Sequence, residues 1–99
     1  MSPRRACRKD DNHDAIADTF RRLGWQWYDT YQFAQYLPGF PDGMAVKPGA
    51  VLLVEVKGKR VRLTKDEAAF HRDYLGPIMV ARTEDDVVQM TEMWHKGAL

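Results

Sequence analysis

Apolar residues recur at Ile16, Phe20 and Leu23, the i, i+4, i+7 spacing of a helix with one buried stripe. Asp11 or Asn12 would cap its start, and Gly24 stands where such a helix stops. The pattern then changes. Trp25 to Tyr31 is aromatic and strand-like, with Trp25, Trp27, Asp29 and Tyr31 sharing one face by the two-residue period. Leu37 to Gly43 carries turn signals and leads into a short strand over 43–46. Lys47-Pro48-Gly49 predicts a hairpin turn, and Val51 to Lys57 is the clearest strand in the chain.

A basic loop follows, and Thr64-Lys65-Asp66-Glu67 then matches a capping box that opens a helix through about Tyr74. Gly76-Pro77 ends it, and Ile78 to Ala81 predicts another strand. Thr83 before Glu84, Asp85 and Asp86 is an acidic helix start, with Val87, Met90 or Thr91, and Trp94 as the buried stripe. The order is αβββαβα. A helix crossing between the third and fourth strands predicts an α/β fold, a mixed sheet of about four strands flanked by helices.

The 99 residues allow one domain, read as a flexible basic arm over 1–11 and a folded unit over 12–99. Hydrophobic residues at 44% and charged residues at 29% fit a soluble globular protein. No apolar run approaches the ~20 residues that span a bilayer, so no membrane partner is expected. The basic N-terminus lacks the apolar stretch of a signal peptide, which makes a cytoplasmic location the expectation. Cys7 alone excludes an internal disulfide framework and a cysteine-rich zinc site.

The net charge of +1 hides two basic patches. Arg4, Arg5, Arg8 and Lys9 form the arm, and Lys57, Lys59, Arg60, Arg62 and Lys65 place five cations within nine residues. Such patches in a nearly neutral chain point to a polyanion such as DNA; the alternative is two solvated runs.

Glu55 interrupts the Val/Leu run of the clearest strand. A buried isolated carboxylate is costly, so it should be paired, metal-bound or at the strand's exposed end. Lys57 projects from the same sheet face, and a hairpin would bring Asp42 alongside Glu55. Two carboxylates with water and phosphate oxygens suit Mg²⁺, and Lys57 would orient a water or stabilise developing charge. The alternative is a Glu55–Lys57 surface ion pair worth about 0–1 kcal/mol. His71 lies one turn beyond Glu67, as a core histidine, a phosphate contact or neither. His13 and His95 lack ligand spacing to each other. Trp25, Trp27 and Tyr31 read as core or interface rather than base-stacking residues, and Asp29 as solvent-facing or at a site edge.

Gly39-Phe40-Pro41-Asp42, twelve residues, then Glu55-Val56-Lys57 resembles the signature of the PD-(D/E)XK nuclease superfamily. Gly58-Lys59-Arg60 and Leu63 to His71 are similar to its VRR-NUC branch, which includes small stand-alone phage and bacterial proteins. The likeness spans residues 11 to 90. It implies a restriction-endonuclease-like core and a Mg²⁺-dependent endonuclease, with Mn²⁺ as a substitute ion and no small-molecule cofactor. Asp42, Glu55 and the Val56 carbonyl would ligate the metal, and Lys57 would be the catalytic lysine.

Relatives place an acidic residue on the first helix, where this chain has alanine. Asp14 is the neighbour that would substitute, with Asp18 next. Glu67 falls where relatives carry a polar residue facing the site, and it also completes the capping box. Lys59, Arg60, Arg62, Lys65 and His71 would contact DNA. A homodimer cutting branched DNA, such as a four-way junction, in a bacterial or phage-infected cell is the biological setting the resemblance implies. A DNA-binding module of the same fold with weak or no turnover is the alternative.

Overall fold

A computed structural model describes residues 9–97. Most of the basic arm, with Arg4, Arg5, Cys7 and Arg8, lies outside the described residues.

The chain runs through α1 (His13–Arg22), β1 (Gln26–Asp29), a 3-10 turn (Tyr31–Gln35), β2 (Gly43–Lys47), β3 (Ala50–Val56), α2 (Lys65–Asp73), β4 (Ile78–Ala81) and α3 (Glu84–His95). The four strands form one sheet in the order β1-β2-β3-β4. β1, β2 and β3 pair antiparallel, whereas β4 joins β3 in parallel after the α2 crossover. The expected mixed sheet and αβββαβα order are therefore present. No helix among the described residues is long and apolar enough to cross a membrane.

One sheet face carries the core. Ile16, Ala17 and Phe20 of α1 and Val87 and Met90 of α3 close over Trp27, Ala45, Leu52, Val54 and Val56. Fully burying a side chain such as Phe20 contributes about 1.5–3 kcal/mol. Trp25 and Trp27 are core residues, as expected, with the Trp25 indole N–H donating to Thr91 Oγ1 at 3.0 Å. Gly43 is required here, since a Cβ would meet the Trp27 ring at 2.0 Å.

The capping box predicted at Thr64 forms, and the acidic helix start at Thr83 proves to be a second capping box, closed by Asp86. Two local details differ from the sequence reading. β1 ends at Asp29, and Tyr31 begins a 3-10 turn rather than continuing the strand. Thr30 causes the break: its N–H donates to Asp42 O at 2.8 Å and its hydroxyl to Pro41 O at 2.8 Å, pinning the chain to the segment before β2. Asn12 stands at the N-cap of α1 but its side chain does not cap. It donates instead to Lys57 O at 3.0 Å and Arg82 O at 3.1 Å, tying the helix start to the ends of β3 and β4.

α2 lies on the opposite sheet face, reached by the odd-numbered side chains of β3. It buries no residue fully. An aromatic contact links it to the loop before β2, Phe40 to Phe70 at 5.3 Å, and Phe70 also stacks on Tyr74 at the end of the helix at 5.6 Å. Gly39 makes the approach possible. A Cβ there would stand 2.2 Å from Asp66 O and 3.1 Å from Glu67 N, and the residue has φ +86°.

Candidate functional site

The β2–β3 hairpin sets the site. Gly43 pairs with Val54, so Asp42 falls beside Glu55 and Val56. Its backbone N–H donates to Val54 O at 3.0 Å, and its Oδ2 accepts from Val56 N–H at 2.7 Å. The carboxyls of Asp42 and Glu55 lie close enough for their protonation to be linked. Glu55 is 1% exposed and Lys57 7%. The alternative of an exposed Glu55–Lys57 pair is thereby replaced, because the strand end is covered by α2 and Lys57 pairs elsewhere.

Its partner is Glu67, whose Oε1 lies 2.7 Å from Lys57 Nζ and also accepts Thr64 N–H at 2.8 Å. Capping and site contact coexist in one side chain. His71, one turn on, turns inward with Nε2 3.8 Å from Glu55 Oε1. Asp42, Glu55, Lys57 and Glu67 line an open cleft of about 810 Å³, with Lys59 and Lys9 also on its wall, and His71 lies behind Glu55.

The electrostatics follow from this packing. Burial, and then the neighbouring Asp42 carboxyl, push the Glu55 carboxyl up to about 11. Burial also raises Asp42, although Glu55 and the Val56 N–H oppose the rise. Burial works against the Lys57 ammonium, but Glu67 outweighs it and holds the lysine charged. Glu67 is held below the usual carboxylate range because Lys57 and Thr64 N–H outweigh its burial. Burial lowers His71.

Two carboxylates this close need a proton or a cation between them. Glu55 Oε1 is buried without a hydrogen-bond partner, which is what a ligand oxygen looks like before its ion arrives. Among the described residues no three His, Cys, Asp or Glu side chains form a complete metal cage. Two carboxylates fit Mg²⁺ nevertheless, since this ion keeps several waters or phosphate oxygens in its sphere.

The first helix does not contribute as expected. The Asp14 side chain is 80% exposed and pairs with Lys9 at 3.2 Å, and Asp18 pairs with Arg21 at 2.9 Å. Both lie off the buried stripe. That stripe includes His13, at i−3 from Ile16 and i−7 from Phe20, and His13 is 1% exposed. Its Nε2 donates to Asp29 Oδ1 at 2.8 Å, and the same oxygen accepts from Trp27 Nε1 at 2.8 Å. Burial works against the Asp29 charge, but these bonds hold it below the usual range. Helical spacing could have placed His13 on the stripe, but its polarity set it aside.

Lys59, Arg60, Arg62 and Lys65 are exposed around the cleft and the α2 start, where the sequence put a polyanion contact. Arg82, not singled out in the sequence, braces their loop by donating to Gly58 O and Val61 O, each at 2.7 Å. No family model, curated protein or solved structure matches this chain.

Proposed function

We propose that the protein is a Mg²⁺-dependent DNA endonuclease of the PD-(D/E)XK type, similar to the VRR-NUC branch. The observation that carries this reading is the meeting of Asp42, Glu55 and Lys57 at one cleft. Burial raises both the Asp42 and Glu55 carboxyls, Asp42 raises Glu55 further, and Lys57 is a buried ammonium held by Glu67.

Asp42, Glu55 and the Val56 carbonyl would hold the ion, which when bound polarises a phosphodiester and acidifies a water. Lys57 carries a positive charge held by Glu67 to the wall of the cleft, where it would orient the attacking water and stabilise charge developing on phosphate. Glu67 keeps that ammonium in place and charged. The exposed cations of 59–65 would grip the sugar–phosphate backbone without reading sequence. Branched DNA and a homodimer remain part of the proposal, resting on the family resemblance alone.

The test is cleavage of single-stranded, duplex, flap and four-way-junction DNA with Mg²⁺ or Mn²⁺. Asp42→Ala, Glu55→Ala and Lys57→Ala serve as controls. Cleavage that survives all three places the chemistry elsewhere. The second reading, a binding module without efficient turnover, is favoured by the outward-facing Asp14 and Asp18. It predicts metal-independent DNA binding with no cleavage of any substrate.

A further inference from the structure

Two buried polar atoms face each other across the site without a partner. Glu55 Oε1 comes from β3 and His71 Nε2 from α2; neither makes a hydrogen bond, and they stand 3.8 Å apart. That distance is too long for a direct hydrogen bond. It is also short for a bridging water, whose two bonds of about 2.8 Å put its partners about 4.4 Å apart. Native proteins rarely leave such atoms orphaned, and here the two are buried against each other, with Glu55 also lining the cleft.

We propose that these two atoms mark a cation position, in which Glu55 Oε1 and His71 Nε2 together hold a divalent first-row transition ion. The inference rests on the metal-site reading above and concerns which ion the site selects. Metal–imidazole and metal–carboxylate bonds are each about 2.1 Å, so neighbouring donors on one octahedral ion stand about 3.0 Å apart, and the two atoms at 3.8 Å close by about 0.8 Å to hold it. Glu55 then acts through both oxygens, one toward Asp42 and Oε1 toward His71. Imidazole nitrogen favours transition ions, whereas Mg²⁺ prefers an all-oxygen sphere. Phosphate oxygens and water would complete the coordination. Nothing in the sequence spacing of Glu55 and His71 announces this pairing; α2 packing across the sheet end creates it.

Mn²⁺ is the probe, in the full-length protein. Electron spin-echo spectra of the Mn²⁺ complex should show ¹⁴N coupling from a directly bound imidazole, lost in both His71→Ala and His71→Gln. Calorimetric titration should show at least about a tenfold loss of Mn²⁺ affinity in these variants with Mg²⁺ affinity unchanged, since even supporting residues of metal sites cost that much. Circular dichroism confirms that the variants fold. Mn²⁺ binding without nitrogen coupling, or an equal loss for both ions, overturns this inference and leaves the nuclease reading standing. Failure of the wild-type protein to bind either ion overturns both.

Discussion

The Glu67 Oε1 atom accepts the Thr64 N–H at 2.8 Å and lies 2.7 Å from Lys57 Nζ, so one oxygen starts α2 and fixes the buried lysine. Glu67→Gln separates the two jobs. A glutamine carbonyl still caps, so the capping contribution is kept and any loss in urea denaturation, at most about 3–5 kcal/mol, comes from leaving the buried Lys57 without its charge partner. The charge partner of Lys57 is lost, and cleavage should fall well beyond what that stability change explains. Glu67→Ala removes both and should lose more stability.

Glu55 gives the metal-free protein an inverted pH dependence. The folded carboxyl keeps its proton up to about 11, whereas the unfolded one releases it near 4.5. The folded state thus binds more protons across that window, and its stability falls as pH rises through it, by at most about 1.4 kcal/mol per pH unit. Glu67 works the other way: its contribution is present above pH 4.5 and lost as pH falls through its lowered value. Denaturation in EDTA between pH 5 and pH 9 should show the decline, and Glu55→Gln should flatten it while abolishing cleavage. Added Mg²⁺ should stabilise the wild type more at pH 9 than at pH 6.

Gly39 is where the loop and α2 touch backbone to backbone. Gly39→Ala has no flexible side chain to push aside, and φ +86° adds strain of about 1–2 kcal/mol. It should displace α2 and separate Glu67 from Lys57. Activity is then expected to drop although no site residue has changed, with the Lys57 ammonium shift in nitrogen-15 NMR reporting the broken pair.

Asp29 is the acceptor for two N–H groups, one from buried His13 and one from Trp27. Asp29→Ala leaves both without it, at a cost of about 1–3 kcal/mol for each donor left unsatisfied. Asp29→Asn keeps an acceptor oxygen and should cost less. Urea midpoints of the two variants give the comparison; equal, negligible losses would show that the network contributes nothing.

The loop cations should act on binding rather than on the chemical step. Replacing Lys59, Arg60 and Arg62 together by alanine should lower the slope of log K against log salt by up to about 2.7, at about 0.9 for each phosphate no longer neutralised. Fluorescence anisotropy on duplex and junction DNA measures it. A slope that does not change would place the DNA-binding surface elsewhere.

The local grammar of the chain was enough for β3, the Lys47 to Gly49 turn, the Thr64 capping box, the acidic start at Thr83 and the apolar stripes, because each depends on residues within a turn or a pair of strands. The same local logic put Asp42 beside Glu55, since a tight hairpin leaves little freedom of register. Tertiary packing decided the rest. Whether Glu55 and Lys57 were an exposed ion pair or a buried site depended on α2 folding over the sheet end, which Gly39 permits by its close approach to Asp66 and Glu67, far along the sequence. The inward turn of His13 in place of Asp14, the redirection of Asn12 from cap to clamp, and the meeting of His71 with Glu55 all depend on such distant partners. A polar side chain looks the same in sequence whether it meets solvent or another buried atom, and only the folded chain supplies the second atom.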